Sequence, residues 1–127
     1  MDRILRKVFV ALFVFTTGAY ASASNRVANS SKFNWNPVMD AIIEVESEGN
    51  PKAVSGNSCG AMQITPILVK ECNDILKKQK SKKRFKLSDR FNVKKSKEMF
   101  LLIQAHHNPE NNVEKAIRSW NGGPRYS

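Results

Sequence analysis

The feature that most limits the fold of this chain is the spacing of its apolar residues between strong helix punctuation. Asn36-Pro37 is a cap-then-proline opening. Val38, Ile42 and Val45 then recur on one face, with Met39, Ile43 and Glu46 beside them, and Gly49 with Pro51 beyond it ends the run. Thr65-Pro66 repeats the device, and Leu68, Cys72, Ile75 and Leu76 follow at helical period. A third stretch, from about Val93 to His107, sets Met99, Phe100, Ile103 and His107 on one side and stops at Asn108-Pro109. Asn112 caps a last short helix with Val113, Ala116, Ile117 and Trp120 inward and Gly122-Gly123-Pro124 as terminator. No segment alternates with a period of two and no internal repeat appears. The expected class is therefore mainly α.

Residues 1–23 stand apart from this pattern. Arg3, Arg6 and Lys7 precede 13 mostly apolar residues from Val8 to Tyr20, and Ala19-Tyr20-Ala21 and Ala21-Ser22-Ala23 both offer small-x-small cleavage patterns. Thirteen apolar residues fall short of the roughly 20 a membrane span needs. This reads as a cleaved export signal, which implies the periplasm, the cell envelope or the medium. Residues 24–35, rich in Ser and Asn, read as a flexible lead, and 36–127 as one small domain. Cleavage would change 21 basic and 11 acidic residues to 18 and 10, a net +8. A charge of that size favours anionic polymers. Export makes the cell wall a better partner than nucleic acid.

Cys59 and Cys72 fall in the exported part, where an even count permits a disulfide, with two buried thiols as the alternative. No histidine has metal-ligand spacing to either. His106 and His107 splay about 100° apart on a helix, poor geometry for shared ligation, so no metal is expected. Lys77 to Lys86 holds seven basic residues in ten, with Phe85 the only strongly apolar one. A solvated loop or frayed helix end explains it better than a dedicated binding patch.

The chemistry is sought at Glu46. Asp40, Glu44 and Glu48 line up at i, i+4 spacing as a wet face, while Glu46 shares a face with Met39 and lies one turn after Ile42 and Ile43. A carboxyl packed against apolar groups loses solvation, which favours its protonated form, as a general acid near neutral pH requires. Alone, such a residue would more simply be a surface glutamate at a helix end. The residues downstream of it change that reading. Glu46-Ser47, Asn50-Pro51, Ala53-Val54-Ser55, Gly60-Ala61-Met62-Gln63-Ile64 and Pro66 together resemble the signature of the soluble lytic transglycosylases, relatives of goose-type lysozyme. Ser119-Trp120-Asn121-Gly122-Gly123-Pro124 is similar to that family's later Ala-Tyr-Asn-x-Gly motif.

The resemblance implies a small lysozyme-like helical domain with a substrate cleft, and cleavage of the β-1,4 bond between N-acetylmuramic acid and N-acetylglucosamine in peptidoglycan. Glu46 would be the single acid/base, forming a 1,6-anhydro product without water, cofactor or second carboxylate. Ser55, Met62, Gln63, Trp120 and Asn121 match positions that contact the sugar chain. Met62 and Trp120 would serve equally as core, whereas Gln63, polar between apolar neighbours, suits a cleft. Glycan strands are the implied partner, with envelope or secretion machinery as a second, no membrane span, and a monomer. The chain departs from the family in a Ser55–Gly60 loop one residue shorter, in Ala61 for leucine, in Trp120 for tyrosine, and in lacking a further helix after Pro124, as a truncation would leave it. A hydrolytic muramidase of the same fold and a non-catalytic wall-binding or assembly protein are the rival readings.

Overall fold

The computed structural model describes residues 33–122. The expected export signal, most of the lead, and Gly123-Pro124 of the terminator lie outside them. Four α-helices carry the described fold: α1 (Asn36–Ser47), α2 (Pro66–Lys78), α3 (Val93–His107) and α4 (Val113–Gly122). Each falls where the apolar periodicity places one, and a 3-10 helix (Leu87–Phe91) precedes α3. Thr65 caps α2 as expected, its hydroxyl accepting from the Leu68 N–H at 3.3 Å. Asn112 likewise accepts from Lys115 N–H at 2.9 Å, and Asn92 caps α3 by accepting from Lys95 N–H at 2.9 Å. None of the described helices is long and apolar enough to cross a membrane.

The core is one cluster. Phe100, Met99 and Ile103 of α3 are wholly enclosed, and α2 packs against α3 through Leu68, Val69, Cys72, Ile75 and Leu76. Val38, Met39 and Ile42 of α1 and Val113, Ala116 and Ile117 of α4 close the remaining sides. A chain of edge-to-face rings runs from Phe33 through Trp35 (4.8 Å) and Phe100 (5.5 Å) to Trp120 (5.0 Å). Such pairs add about 0.5–1.5 kcal/mol each beyond burial. Here they join the start of the described chain to its last helix.

Three local expectations are corrected. The lead does not run to residue 35, because Trp35 is buried in the core and Phe33 packs against it. Asn36 is not the cap of α1. Trp35 occupies that position without a side-chain bond, and Asn34 Oδ1 accepts from Asn36 N–H instead, at 3.0 Å. Between α1 and α2 lies a two-stranded antiparallel hairpin, β1 (Val54–Ser55) with β2 (Ser58–Cys59), pairing Val54 with Cys59 and Ser55 with Ser58. Two-residue strands are too short for alternation to show in sequence.

The basic stretch does form a loop after Lys78, with its lysines exposed. It is nevertheless anchored. Asn73 of α2 donates to Phe85 O at 3.0 Å and accepts from Phe85 N–H at 2.7 Å, which seats Phe85 in the core.

Candidate active site

Glu46 lies in the last turn of α1 and is half-buried. The helix end around it is fixed twice. Glu48 enters the left-handed region (φ 54°), and its N–H and that of Gly49 return to Glu44 O and Ile43 O. Ser47 Oγ lies 2.8 Å from Ala61 O and 3.0 Å from Ile43 O, so the hydroxyl ties α1 to the turn after β2. The pair Glu-Ser is therefore one device: the serine docks the helix end that carries the glutamate.

That turn is built by close backbone approach. Cys59 and Ile64 exchange both backbone bonds, at 3.0 and 2.9 Å. Gly60 has φ +84°, and a Cβ there would overlap the carbonyl oxygen of Arg90. Only glycine fits. Arg90, from the 3-10 helix, clamps the same loop, its Nη1 donating to Asn57 O (3.2 Å) and Ile64 O (3.3 Å) while Ser96 Oγ donates to Arg90 O at 3.1 Å. Nothing in the sequence around Arg90 marks this role, since its partners lie about thirty residues away.

Across from Glu46 stands α4. Ala41, Ile42, Val45 and Glu46 of α1 face Ile117, Trp120 and Asn121 in a small crevice with an almost wholly apolar lining. Trp120 is held there by its indole Nε1–H, which donates to Met62 O at 2.9 Å. An indole thus supplies a donor to the Gly-Ala-Met-Gln turn and ties α4 to it. Asn121 Nδ2 is buried and makes no hydrogen bond among the described residues.

The structure brings together Glu46, Trp120 and Asn121 from two ends of the chain. It treats the other three predicted residues differently. Met62 is completely enclosed, so its side chain belongs to the core and only its carbonyl serves the site. Gln63 is not free to point into a cleft. Its Nε2 donates to Gly60 O (2.9 Å) and Ala53 O (3.2 Å), bracing a backbone at φ 54°. The polar residue between apolar neighbours satisfies the loop's carbonyls. Ser55 is exposed on β1 and lies outside the crevice beside Glu46.

The disulfide that the cysteine pair permits is absent: Cys59 and Cys72 are both free and buried. Cys72 Sγ is turned into the core, donating to Met99 O at 3.7 Å, and burial with the nearby Glu71 charge pushes its thiol up to about 12. His107 Nε2 lies 2.8 Å from Glu71 Oε2. No group of three His, Cys, Asp or Glu among the described residues is placed to hold a metal ion.

Several other acids are engaged elsewhere. Lys70 bonds Asp74 and holds it below the usual carboxylate range, and Lys83 does the same for Glu98. Asp40 pairs with Lys97, and Asp89 accepts from Lys86 N–H. None of these lines the crevice beside Glu46.

A mainly helical fold with a half-buried carboxyl between α1 and α4 is what the geometry defines. Residues 23–126 match the family model of the transglycosylase SLT domain, and the chain belongs to that family. No curated protein and no solved structure matches it. Membership carries lytic-transglycosylase-type activity on peptidoglycan at the level of the family.

Proposed function

We infer that this protein is a peptidoglycan lytic transglycosylase that cleaves the bond from N-acetylmuramic acid to N-acetylglucosamine, with Glu46 as its only acid/base. The observation that carries the reading is the meeting of Glu46 with Trp120 and Asn121 in a crevice that no second carboxyl among the described residues lines. Hydrolases of the two-carboxylate type need a second acid to position water.

The steps depend on one carboxyl acting twice. Protonated Glu46 gives its proton to the glycosidic oxygen as the bond from C1 to that oxygen breaks. The C6 hydroxyl of the same muramyl residue then attacks C1, and its proton passes to the Glu46 carboxylate. A 1,6-anhydro ring closes, water is not consumed, and the acid is restored for the next cycle. The chemistry calls for no metal or cofactor.

Ser47, Gly60, Gln63 and the Trp120–Met62 bond act on this site as supports, fixing where the end of α1 sits relative to α4. Trp120 and Asn121, which line the crevice with Glu46, are the residues we assign to sugar contact beside the acid. Ser55, exposed on the hairpin, would contact the glycan farther along.

We further place the protein outside the cytoplasm, in the periplasm or cell envelope, after removal of residues 1–23. The family match begins at residue 23, where the expected cleavage falls. The net positive charge speeds encounter with the anionic wall, an effect that salt weakens. Digestion of purified peptidoglycan followed by mass spectrometry tests the reaction. Anhydromuramyl ends are expected. Reducing muramyl ends would make the protein a hydrolase, and no product at all would leave a wall-binding role.

A further inference from the structure

The positive charge of the chain is not spread along it. Residues 77–97 hold 11 of the 21 basic residues and, in Asp89, one of the 11 acidic ones; the remaining residues balance at 10 and 10, so the whole net charge of +10 resides in this stretch. The same stretch breaks the burial pattern. Six large apolar side chains are exposed among the described residues, and three of them, Leu87 (50 %), Phe91 (41 %) and Val93 (36 %), fall within residues 87–93. A single exposed leucine is ordinary, whereas a concentration of apolar side chains marks a contact surface.

The stretch is held firmly to the domain. Two bonds from Asn73 seat Phe85 in the core, Lys83 bonds Glu98 of α3 at 2.7 Å, and Ser96 Oγ donates to Arg90 O at 3.1 Å. The 3-10 helix Leu87–Phe91 contains no buried residue, so Leu87 and Phe91 are presented to solvent on an ordered element. Lys86 directly precedes Leu87, and Lys94 directly follows Val93. Both are exposed, and together with Lys77, Lys78, Lys80 and Lys82 they form no ion pair among the described residues.

A partner that answers both kinds of side chain must offer negative charge with an apolar phase directly behind it. Glycan strands and soluble polyanions answer the lysines but leave Leu87, Phe91 and Val93 in water. A second copy would bring the same cations on a chain of equal net charge. A bilayer of anionic phospholipid supplies phosphates at its surface and hydrocarbon just below them.

We propose that residues 77–97 form a peripheral membrane-docking surface for anionic phospholipid. Leu87, Phe91 and Val93 enter the headgroup boundary, and the lysines around them pair with phosphates. This rests on the proposed function only for the place of work, the cell envelope. None of residues 77–97 lines the crevice beside Glu46, which docking leaves open.

The test sediments the full chain, recovered from expression of the whole sequence, with sucrose-loaded vesicles of phosphatidylcholine alone or mixed with phosphatidylglycerol. Binding is expected to the mixture only, and to weaken as salt rises. Leu87→Ser with Phe91→Ser should weaken it by about tenfold or more, one decade in Kd, and Lys86→Glu with Lys94→Glu should do the same. Both variants share residues 1–23 with the parent, so any contribution of that apolar segment cancels in the comparison. Their thermal melts and their digestion of purified sacculi without vesicles should match the parent, so failure of docking and failure of cleavage are read apart. Equal binding to the two kinds of vesicle would overturn the proposal, as would parental binding in either variant. A soluble polyphosphate bound as tightly as the vesicles, by the parent and by the serine variant alike, would assign the stretch to polyanions and overturn it. So would a dimer in sedimentation velocity that Lys86→Glu with Lys94→Glu dissolves, with no vesicle binding, which would assign it to a second copy.

Discussion

Gly60→Ala isolates the close approach on which the site's supporting turn depends. The new Cβ would overlap Arg90 O and lie 2.8 Å from its carbonyl carbon, where ordinary contact begins at 3.4 Å. Both partners are backbone, so neither can swing away, and the hairpin and the 3-10 helix must part. Parting them strains or breaks the Ser96 bond to Arg90 O and the two Arg90 bonds to Asn57 O and Ile64 O. At about 1 kcal/mol for each hydrogen bond, two to three such losses cost about 2–3 kcal/mol. Holding a side chain at φ +84° adds about 1–2 kcal/mol. The expected loss is therefore about 3–5 kcal/mol, a large share of the roughly 5–15 kcal/mol typical of a domain. Gly49→Ala and Gly56→Ala supply the control. Their φ values are +82° and +61°, but a Cβ at either meets nothing within 4 Å, so only the strain remains. Urea unfolding followed by tryptophan fluorescence measures all three. If Gly60→Ala unfolds at the same urea concentration as Gly49→Ala, the close approach to Arg90 does not support the fold.

Trp120→Phe keeps the ring against Phe100 but leaves Met62 O without its donor; a loss of about 1–3 kcal/mol in urea unfolding is expected, with a fall in kcat that Trp120→Ala deepens. Ser47→Ala should cost about 1 kcal/mol and slow peptidoglycan cleavage, because the end of α1 loses its tie to Ala61 O. With both cysteines buried, Ellman's reagent should find no reactive thiol in the native protein at about pH 8 and both after denaturation, with no change in stability on adding dithiothreitol. The Cys72 thiol, raised in the fold from 9.0 to about 12, favours the folded state in its neutral form. That contribution is complete below pH 9.0 and is lost as pH climbs to about 12. Alkaline titration of the unfolding midpoint should fall across that window, and Cys72→Ala should flatten the fall.

The helices were legible because each pairs an apolar stripe with its own punctuation. Thr65-Pro66 and Asn112 announce starts that the structure places at the same residues. Trp35 misled because Asn36-Pro37 offers a better cap on paper, while the ring's burial beside Phe100 outweighs one capping bond. The hairpin escaped notice because its pairing is two residues long and depends on Gly60, whose need for glycine arises from Arg90, far away in sequence. Gln63 shows the limit of reading polarity as function. Its amide closes carbonyls of its own loop, a local demand that looks in sequence like a residue aimed at a ligand. Glu46 could be singled out, but its meeting with Trp120 and Asn121 is a product of helix packing between α1 and α4.

If one carboxyl, Glu46, performs the bond cleavage, the rate at which purified sacculi release soluble fragments must depend on it alone among the acids of α1. The decisive comparison sets Glu46→Gln beside Glu44→Gln, two residues away on the exposed face of the same helix. Glu46→Gln should lose about 10²–10⁴-fold, the scale of general acid–base catalysis, with Glu44→Gln at the parent rate and both variants folded as the parent. Parental activity in Glu46→Gln would refute the single-acid assignment and move the acid to another residue.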